Sequence, residues 1–257
     1  MRLDKYLSEH GFSSRTKAAR AVAEGRVFVN GRAGKPSDEV TDGDSIEIRE
    51  KPLSFVSEGG YKLRKALDDF ARDVCGCTCV DLGASTGGFT DCLLQAGAAV
   101  VYAVDVGKGQ LDEAVRGDSR VRVLDETNVR YLRREDIGTE RIDVVTADLS
   151  FISLKLIFPV IAGLLEEGGA AYVLVKPQFE CGGIGLNKHG IVKDRKKRLD
   201  IVNELAVAAA RCGLIPRNVT PAPIRENKNI EYMMLLQKAA TGAEGIADFE
   251  KRVSELD

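Results

Sequence analysis

Histidine is scarce in this chain, and its cysteines are badly spaced for metal. Only His10 and His189 occur among 257 residues, and three of the six cysteines alternate as Cys75, Cys77 and Cys79 in CGCTCV. Alternate spacing sets those thiols on one face of a strand, whereas zinc sites take close pairs with a second pair elsewhere. Cys92, Cys181 and Cys212 stand alone. No metal is expected. Long apolar runs are missing too: the longest, Leu156 to Leu165, is broken by Pro159 and too short to span a bilayer. The opening MRLDKYLSEHG is charged from its second residue and lacks the apolar segment of a signal peptide. These absences predict a cytoplasmic protein with reduced thiols and no membrane partner.

A hydrophobic share of 44% and a charged share of 30% describe an ordinary soluble globule. The length admits one large domain, or a large one beside a small one. A net charge of −2 hides an uneven distribution. Met1 to Lys35 carries eight cations against three acids; Asp38, Glu39, Asp42, Asp44, Glu47 and Glu50 then reverse the sign. A basic block alone is usually a solvated face, but this one has internal pattern. Leu3, Tyr6 and Leu7 recur at helical spacing, and GFSSRTKAARAVAEG reads as a Ser-capped helix ending at Gly25. VFVNG reads as a strand entering an Asn-Gly turn, with a second strand around Ser45 to Ile48. RLDKYL, SSRTKAARAVAEGRVFVNG and GDSIEI together resemble the small RNA-binding module first described in a ribosomal small-subunit protein and found also in pseudouridine synthases and tyrosyl-tRNA synthetases. The resemblance covers residues 1–49. It implies a small α+β domain that grips structured RNA through backbone contacts, with Arg2, Lys5, Arg15, Lys17 and Arg20 as candidate contacts. A linker, residues 50–58, follows.

Residues 59–240 alternate strand and helix, and 241–257 are left as a tail. Apolar runs of strand length lie at Thr78 to Leu82, Val100 to Asp105, Val121 to Asp125, Asp143 to Ala147, Ala171 to Lys176 and Tyr232 to Gln237. Helical stretches fall at Gly88 to Ala96, Ser153 to Leu165 and Arg195 to Arg211. This predicts a doubly wound α/β, Rossmann-like sheet, whose ligands sit at the carboxyl ends of the strands. The first strand runs into VDLGASTGGFTD, where Asp81, Gly83, Ala84, Ser85, Thr86, Gly87, Gly88 and Phe89 form a strand-to-helix turn that a ligand can approach closely. A dinucleotide fingerprint needs glycine where Ser85 stands, and a P-loop needs Gly-Lys-Ser/Thr where Phe89 follows Gly88. The loop suits S-adenosylmethionine, which has no phosphate to cradle. Asp105, closing the second strand, is placed to accept from both ribose hydroxyls of an adenosine, and Asp125, closing the third, to reach the adenine.

Methylation of a nitrogen base often uses Asn-Pro-Pro-aromatic after the fourth strand, and methylation of a pyrimidine carbon uses a cysteine after proline; neither motif occurs. Instead the fourth strand ends in TADLSFISL with Asp148, and the fifth in VLVKPQFE with Lys176, an uncommon residue at the end of a buried strand because its charge is costly there unless partnered. Glu231 opens the last strand in NIEYMMLL, and Lys62 lies in EGGYKLRK, where two glycines and a cation are expected to open a helix against its dipole preference. In type and order Lys62, Asp148, Lys176 and Glu231 match the Lys-Asp-Lys-Glu tetrad of FtsJ-like ribose 2′-O-methyltransferases. The RNA module followed by GGYKL, VDLGASTGGFTD, ADLSFISL and VKPQFE resembles the TlyA family, also called haemolysin A, from Met1 to about Lys238. Two departures are Glu58, where a cation is expected before GGxKL, and a shortened loop from Cys181 to Gly190. The resemblance implies transfer of a methyl group from S-adenosylmethionine to the 2′-hydroxyl of cytidine in ribosomal RNA, within a ribosomal subunit. It implies Lys176 as the neutral amine that takes the hydroxyl proton, Asp148 orienting it and Glu231 positioning Lys62. Two rivals are a membrane-lytic protein, as the haemolysin label suggests, and an RNA-binding protein with a decayed enzyme domain. Lys193, Arg195, Lys196, Lys197 and Arg198 crowd a helix start and mildly favour an RNA-facing role; Arg130, Arg133 and Arg134 are either that or solvated.

Overall fold

The computed structural model describes residues 1–10, 14–23, 25–41, 43–48, 54–223, 228–239 and 246–256, with the side chains of Lys17, Arg20 and Ile246 outside that description. It divides into two compact units, Met1–Ser54 and Phe55–Asp257.

In the first unit, helices α1 (Leu3–Glu9) and α2 (Arg15–Ala23) precede strands β1 (Val27–Val29), β2 (Arg32–Ala33) and β3 (Ile46–Ile48). The strands form an antiparallel sheet in the order β2-β1-β3. Leu3 and Leu7, one turn apart, meet Ala18, Val22, Val27 and Val40 in a small core. The Asn-Gly turn forms as expected: Asn30 and Gly31 have φ of 51° and 77°, the conformation a tight hairpin requires. Asn30 also accepts from the Ser45 amide at 2.9 Å, tying the turn to β3.

The second unit opens with α3 (Glu58–Phe70). Strands β4 (Thr78–Leu82), β5 (Val100–Val104), β6 (Val121–Leu124), β7 (Val144–Ala147) and β8 (Ala170–Val175) follow, with α4 (Gly88–Gln95), α5 (Glu113–Arg116), α6 (Arg134–Ile137) and α7 (Phe158–Leu164) between them. Then come α8 (Pro177–Glu180), α9 (Arg195–Arg211), β9 (Leu214–Pro221), β10 (Tyr232–Lys238) and α10 (Ile246–Ser254). The seven-stranded sheet runs β6-β5-β4-β7-β8-β10-β9. Its five central and leading strands pair in parallel; β10 pairs antiparallel with β8 and β9. Successive side chains of each strand serve opposite faces: Val173 and Val175 join α7, α9 and α10 on one side, while Tyr172 and Leu174 join α3 and α4 on the other.

One strand is new and two expectations change. LIPRNVTP forms β9 despite Pro216 and Pro221, because it is the edge strand, where a missing amide costs little, and its register shifts beside Pro216. The stretch expected as a tail carries α10, whose Phe249 and Val253 are buried against the core. Lys62 does not open its helix: α3 begins at Glu58, and Gly59 and Gly60 lie inside it. Their smallness serves packing, since a Cβ on Gly59 would come 3.2 Å from the Phe89 ring and one on Gly60 would strike Phe55. Among the described residues no helix is long and apolar enough to cross a membrane.

Candidate active site

The loop after β4 is held in a shape that few side chains permit. Gly83, Ser85 and Gly87 all have positive φ, of 82°, 48° and 95°. The Gly83 and Ala84 amides both donate to Val104 O, at 2.9 and 3.0 Å, which pins the loop to the end of β5. A Cβ on Gly83 would lie 2.9 Å from Asp148 O, so the bare glycine is what lets the β7 terminus close against the loop. Asp148 N donates to Leu82 O at 3.1 Å, completing that contact.

A cleft of about 200 Å³ opens there, lined by Ser57, Ser85, Thr86, Asp148, Ser150 and Lys176, with Gly83, Ala84, Gly88 and Phe89 also on its wall. Asp81 is not on it. Its carboxylate has no exposed surface and accepts from Thr90 Oγ1 at 2.7 Å and Thr146 Oγ1 at 2.8 Å, and burial pushes its pKa up to about 6. Asp81 therefore braces the loop from beneath instead of facing a ligand. Gly87, the left-handed N-cap of α4, is likewise buried.

Asp105 follows β5 as expected, and its Oδ2 accepts from the Ser85 amide at 2.8 Å while Oδ1 accepts from the Gly107 amide at 2.7 Å. Each oxygen keeps a second lone pair. Asp125 follows β6, accepts from the Gly109 amide at 2.9 Å and pairs with Arg116 at 3.2 Å; the amide bond first, then the guanidinium, hold its pKa low.

The tetrad assembles as two ion pairs. Lys176, at the end of β8 and only 9% exposed, brings Nζ to 2.5 Å from Asp148 Oδ1 and donates to Ser150 Oγ at 3.0 Å. The Asp148 contact is one of charge and not an aligned hydrogen bond, because that buried oxygen has no hydrogen-bond partner. Lys62 Nζ donates to Glu231 Oε2 at 2.7 Å, and Gln178 Nε2 donates to Glu231 Oε1 at 3.1 Å. Ser150, Gln178 and Ser57 were not anticipated as site residues. Ser150 and Gln178 sit inside ADLSFISL and VKPQFE, but a neutral polar residue carries neither periodicity nor charge to mark it. Phe151, 90% exposed at φ 63°, packs its ring 4.8 Å from Phe179. A phenylalanine held exposed in that conformation is a strained feature beside the site.

The basic candidates divide. In the first unit Asp4 accepts from Arg2 at 3.2 Å and from Arg15 at 3.1 Å, and the Arg2 hydrogen bond is the main cause that lowers its pKa to about 2. Both guanidiniums stay about half exposed, so they are held in place yet still reachable. Lys5 lies 3.9 Å from Glu9. Lys17 and Arg20 lie on α2, with side chains outside the described set. In the second unit the basic helix start is largely structural. Arg198 is buried and donates to Tyr232 Oη and to the carbonyls of Val192 and Lys193. Arg195 donates to Ser254 O at the end of α10, Lys197 to Ile184 O, and Lys196 pairs with Asp200. Arg133 pairs with Asp136 and Arg134 with Glu166, leaving Arg130 stacked by Tyr131.

Residues 55–238 match the FtsJ-like methyltransferase family, and residues 1–46 the S4 domain. The 16S/23S rRNA (cytidine-2′-O)-methyltransferase TlyA of Mycobacterium tuberculosis is 40% identical over 254 residues, covering 96% of this chain and 94% of its own. The solved structure of a candidate hemolysin from Streptococcus thermophilus superposes with a TM-score of 0.74 at 36% identity, over 99% of this chain and 94% of that one. An S-adenosylmethionine-dependent methyltransferase from Mesorhizobium loti shares the fold, with a TM-score of 0.52 at 16% identity over 70% of this chain and all of that one. With a family match along most of its length and a full-length relative this similar, the chain belongs to the TlyA family of FtsJ-like methyltransferases.

Proposed function

We propose that the chain methylates the 2′-hydroxyl of a cytidine in ribosomal RNA, in the cytoplasm and within a ribosomal subunit, using S-adenosylmethionine. The observation that carries this reading is the Lys176–Asp148 pair, set against the glycine loop at the carboxyl edge of the sheet. The residues present fit the cofactor. Ser85 and Thr86 stand exposed on the cleft wall, Asp105 has lone pairs to spare for ribose hydroxyls, and the Asp148 carboxylate on the same wall offers negative charge to a sulfonium. When bound, the cofactor supplies an electrophilic methyl group.

The chain's own task is then to take a proton from a hydroxyl that is a poor nucleophile. Lys176 is the base: as the neutral amine its Nζ accepts the 2′-hydroxyl proton while the oxygen gains the methyl. Asp148 steadies the ammonium that results, and Ser150 fixes the direction of Nζ. Lys62 and Glu231 add a balanced pair beside this centre, joined to α8 through Gln178. Exposed Phe151 offers a ring to an unstacked RNA base, the usual way a protein holds one. The S4 unit, with Arg2 and Arg15 held by Asp4, supplies phosphate contacts that place the substrate. Mapping ribose methylation on ribosomal RNA incubated with the intact protein or with Lys176→Ala tests this: a new 2′-O-methyl stop made only by the intact protein supports it, and identical maps contradict it.

A further inference from the structure

Tyr131 is 70% exposed and takes no part in the core, although it stands in a well-anchored segment. It ends the short 3₁₀ turn Val129–Tyr131, which follows β6. Asn128 fixes that turn, its side-chain oxygen accepting from the Arg130 amide at 3.0 Å, and buried Leu132 ties the next residue to the core. The fold thus has its anchors here without the tyrosine ring. A cavity of about 400 Å³ opens beside it, lined by Arg130, Tyr131 and Arg133 from this segment and by Pro159, Val160 and Gly163 from α7. That volume is within the ordinary range of a ligand recess.

The three arginines of this segment differ in what they have left to give. Arg134 is spent on the fold: it pairs with Glu166 and donates to the carbonyls of Glu140 and Leu164. Arg133 pairs with Asp136 at 3.3 Å through an exposed guanidinium. Arg130 holds its guanidinium 5.9 Å from the Tyr131 ring centroid, and among the described residues no carboxylate pairs with it. The ring therefore steadies a cation whose donors remain available.

We infer that this recess takes one unpaired nucleotide of the substrate RNA, with its base stacked on Tyr131 and its phosphate on Arg130. The inference rests on the ribosomal RNA reading above. An exposed aromatic face beside an unpaired cation is the combination that holds single-stranded nucleic acid, the ring taking a base and the cation the backbone. Pro159 and Val160 add apolar surface to the same recess. An acidic peptide would satisfy the arginines but give the ring no flat partner. The contact supplies affinity and register, not base identity, because every base has a face to stack.

The chain contains no tryptophan, so Tyr131→Trp in the full-length protein is a single-tryptophan reporter that keeps an aromatic ring in place. Its emission is quenched by a single-stranded ribosomal RNA fragment, and much less by a fully paired RNA duplex of the same length. Unchanged emission at saturating single-stranded RNA, or equal quenching by the duplex, overturns the proposal. Tyr131→Ala weakens RNA binding and raises KM for RNA roughly 5- to 150-fold, the scale of one stacked base, while kcat, S-adenosylmethionine affinity and the salt dependence of binding stay as in the wild type. Arg130→Gln also weakens binding, but it lowers the salt slope by about one, as loss of a phosphate contact does. Wild-type affinity and KM in Tyr131→Ala overturn the proposal. A wild type that leaves ribosomal RNA unmethylated defeats the ribose reading instead, so the two failures are distinct.

Discussion

Lys176 Nζ stands 2.5 Å from Asp148 Oδ1, and the oxygen it approaches accepts no hydrogen bond. Charge, not alignment, holds the two together while the amine is protonated. A base must lose a proton, whereas an electrostatic clamp need only stay positive, and arginine separates the two because it is effectively never deprotonated in a protein. Lys176→Arg should therefore fall in rate about as far as Lys176→Ala, by roughly 10²–10⁴-fold, with cofactor binding intact. Single-turnover methylation by the two variants checks this. Retention of more than about a tenth of the activity by the arginine variant would make Lys176 a charge stabiliser.

Asp105 ties together the Ser85 and Gly107 amides, and it is the residue we propose for the ribose of the adenosine. Asp105→Ala removes charge-assisted bonds worth roughly 1.5–3 kcal/mol each, so affinity for S-adenosylmethionine should drop about tenfold or more. Calorimetric titration reads this directly. Unchanged affinity would place the ribose elsewhere.

Asp81 gives a pH signature. Burial raises its pKa to about 6 in the folded protein, above the ordinary aspartate range near 4. A proton held more tightly by the folded state contributes stability at low pH, and that contribution is lost as pH rises from about 4 to about 6. Asp81→Asn keeps the shape and removes the titration. Relative to the wild type, the variant should therefore gain stability across that window, by up to roughly 1.4 kcal/mol per pH unit. Parallel urea melts at pH 4.5 and 7 test it; a constant difference between the two proteins would mean that Asp81 does not titrate there.

The first unit is assigned affinity and placement, not chemistry. Removal of residues 1–54 should weaken binding to ribosomal RNA and flatten its salt dependence, because fewer phosphate counterions are released, while S-adenosylmethionine binding persists. If the truncated protein methylates ribosomal RNA as well as the intact one, that division of labour is wrong.

The five parallel strands were legible because buried parallel strands read as unbroken apolar runs, and all five lie within a residue of where the runs end. β9 was not, because Pro216 and Pro221 argue against a strand unless its place at the sheet edge is known. Asp148, Lys176 and Glu231 were legible as charges at strand ends, and Lys62 as a cation near the start of a helix. Their pairing was not: nothing in the spacing says that Lys62 closes on Glu231 and Lys176 on Asp148, or that Gln178 joins α8 to the first pair. Within the Lys193 to Arg198 cluster, Arg198 alone departs from the expected exposed face. Charge density in a sequence does not distinguish a solvated cation from Arg198, which is buried and spends its donors on Tyr232 and two backbone carbonyls.

Position and chemistry of the new methyl group are read together by digesting ribosomal RNA to nucleosides after incubation with the protein and isotopically labelled S-adenosylmethionine. Mass spectrometry then separates methylation on the ribose from methylation on the base. The account predicts label in 2′-O-methylcytidine and its loss with Lys176→Ala. Label in 5-methylcytidine or N4-methylcytidine, or no label in any nucleoside, would contradict it.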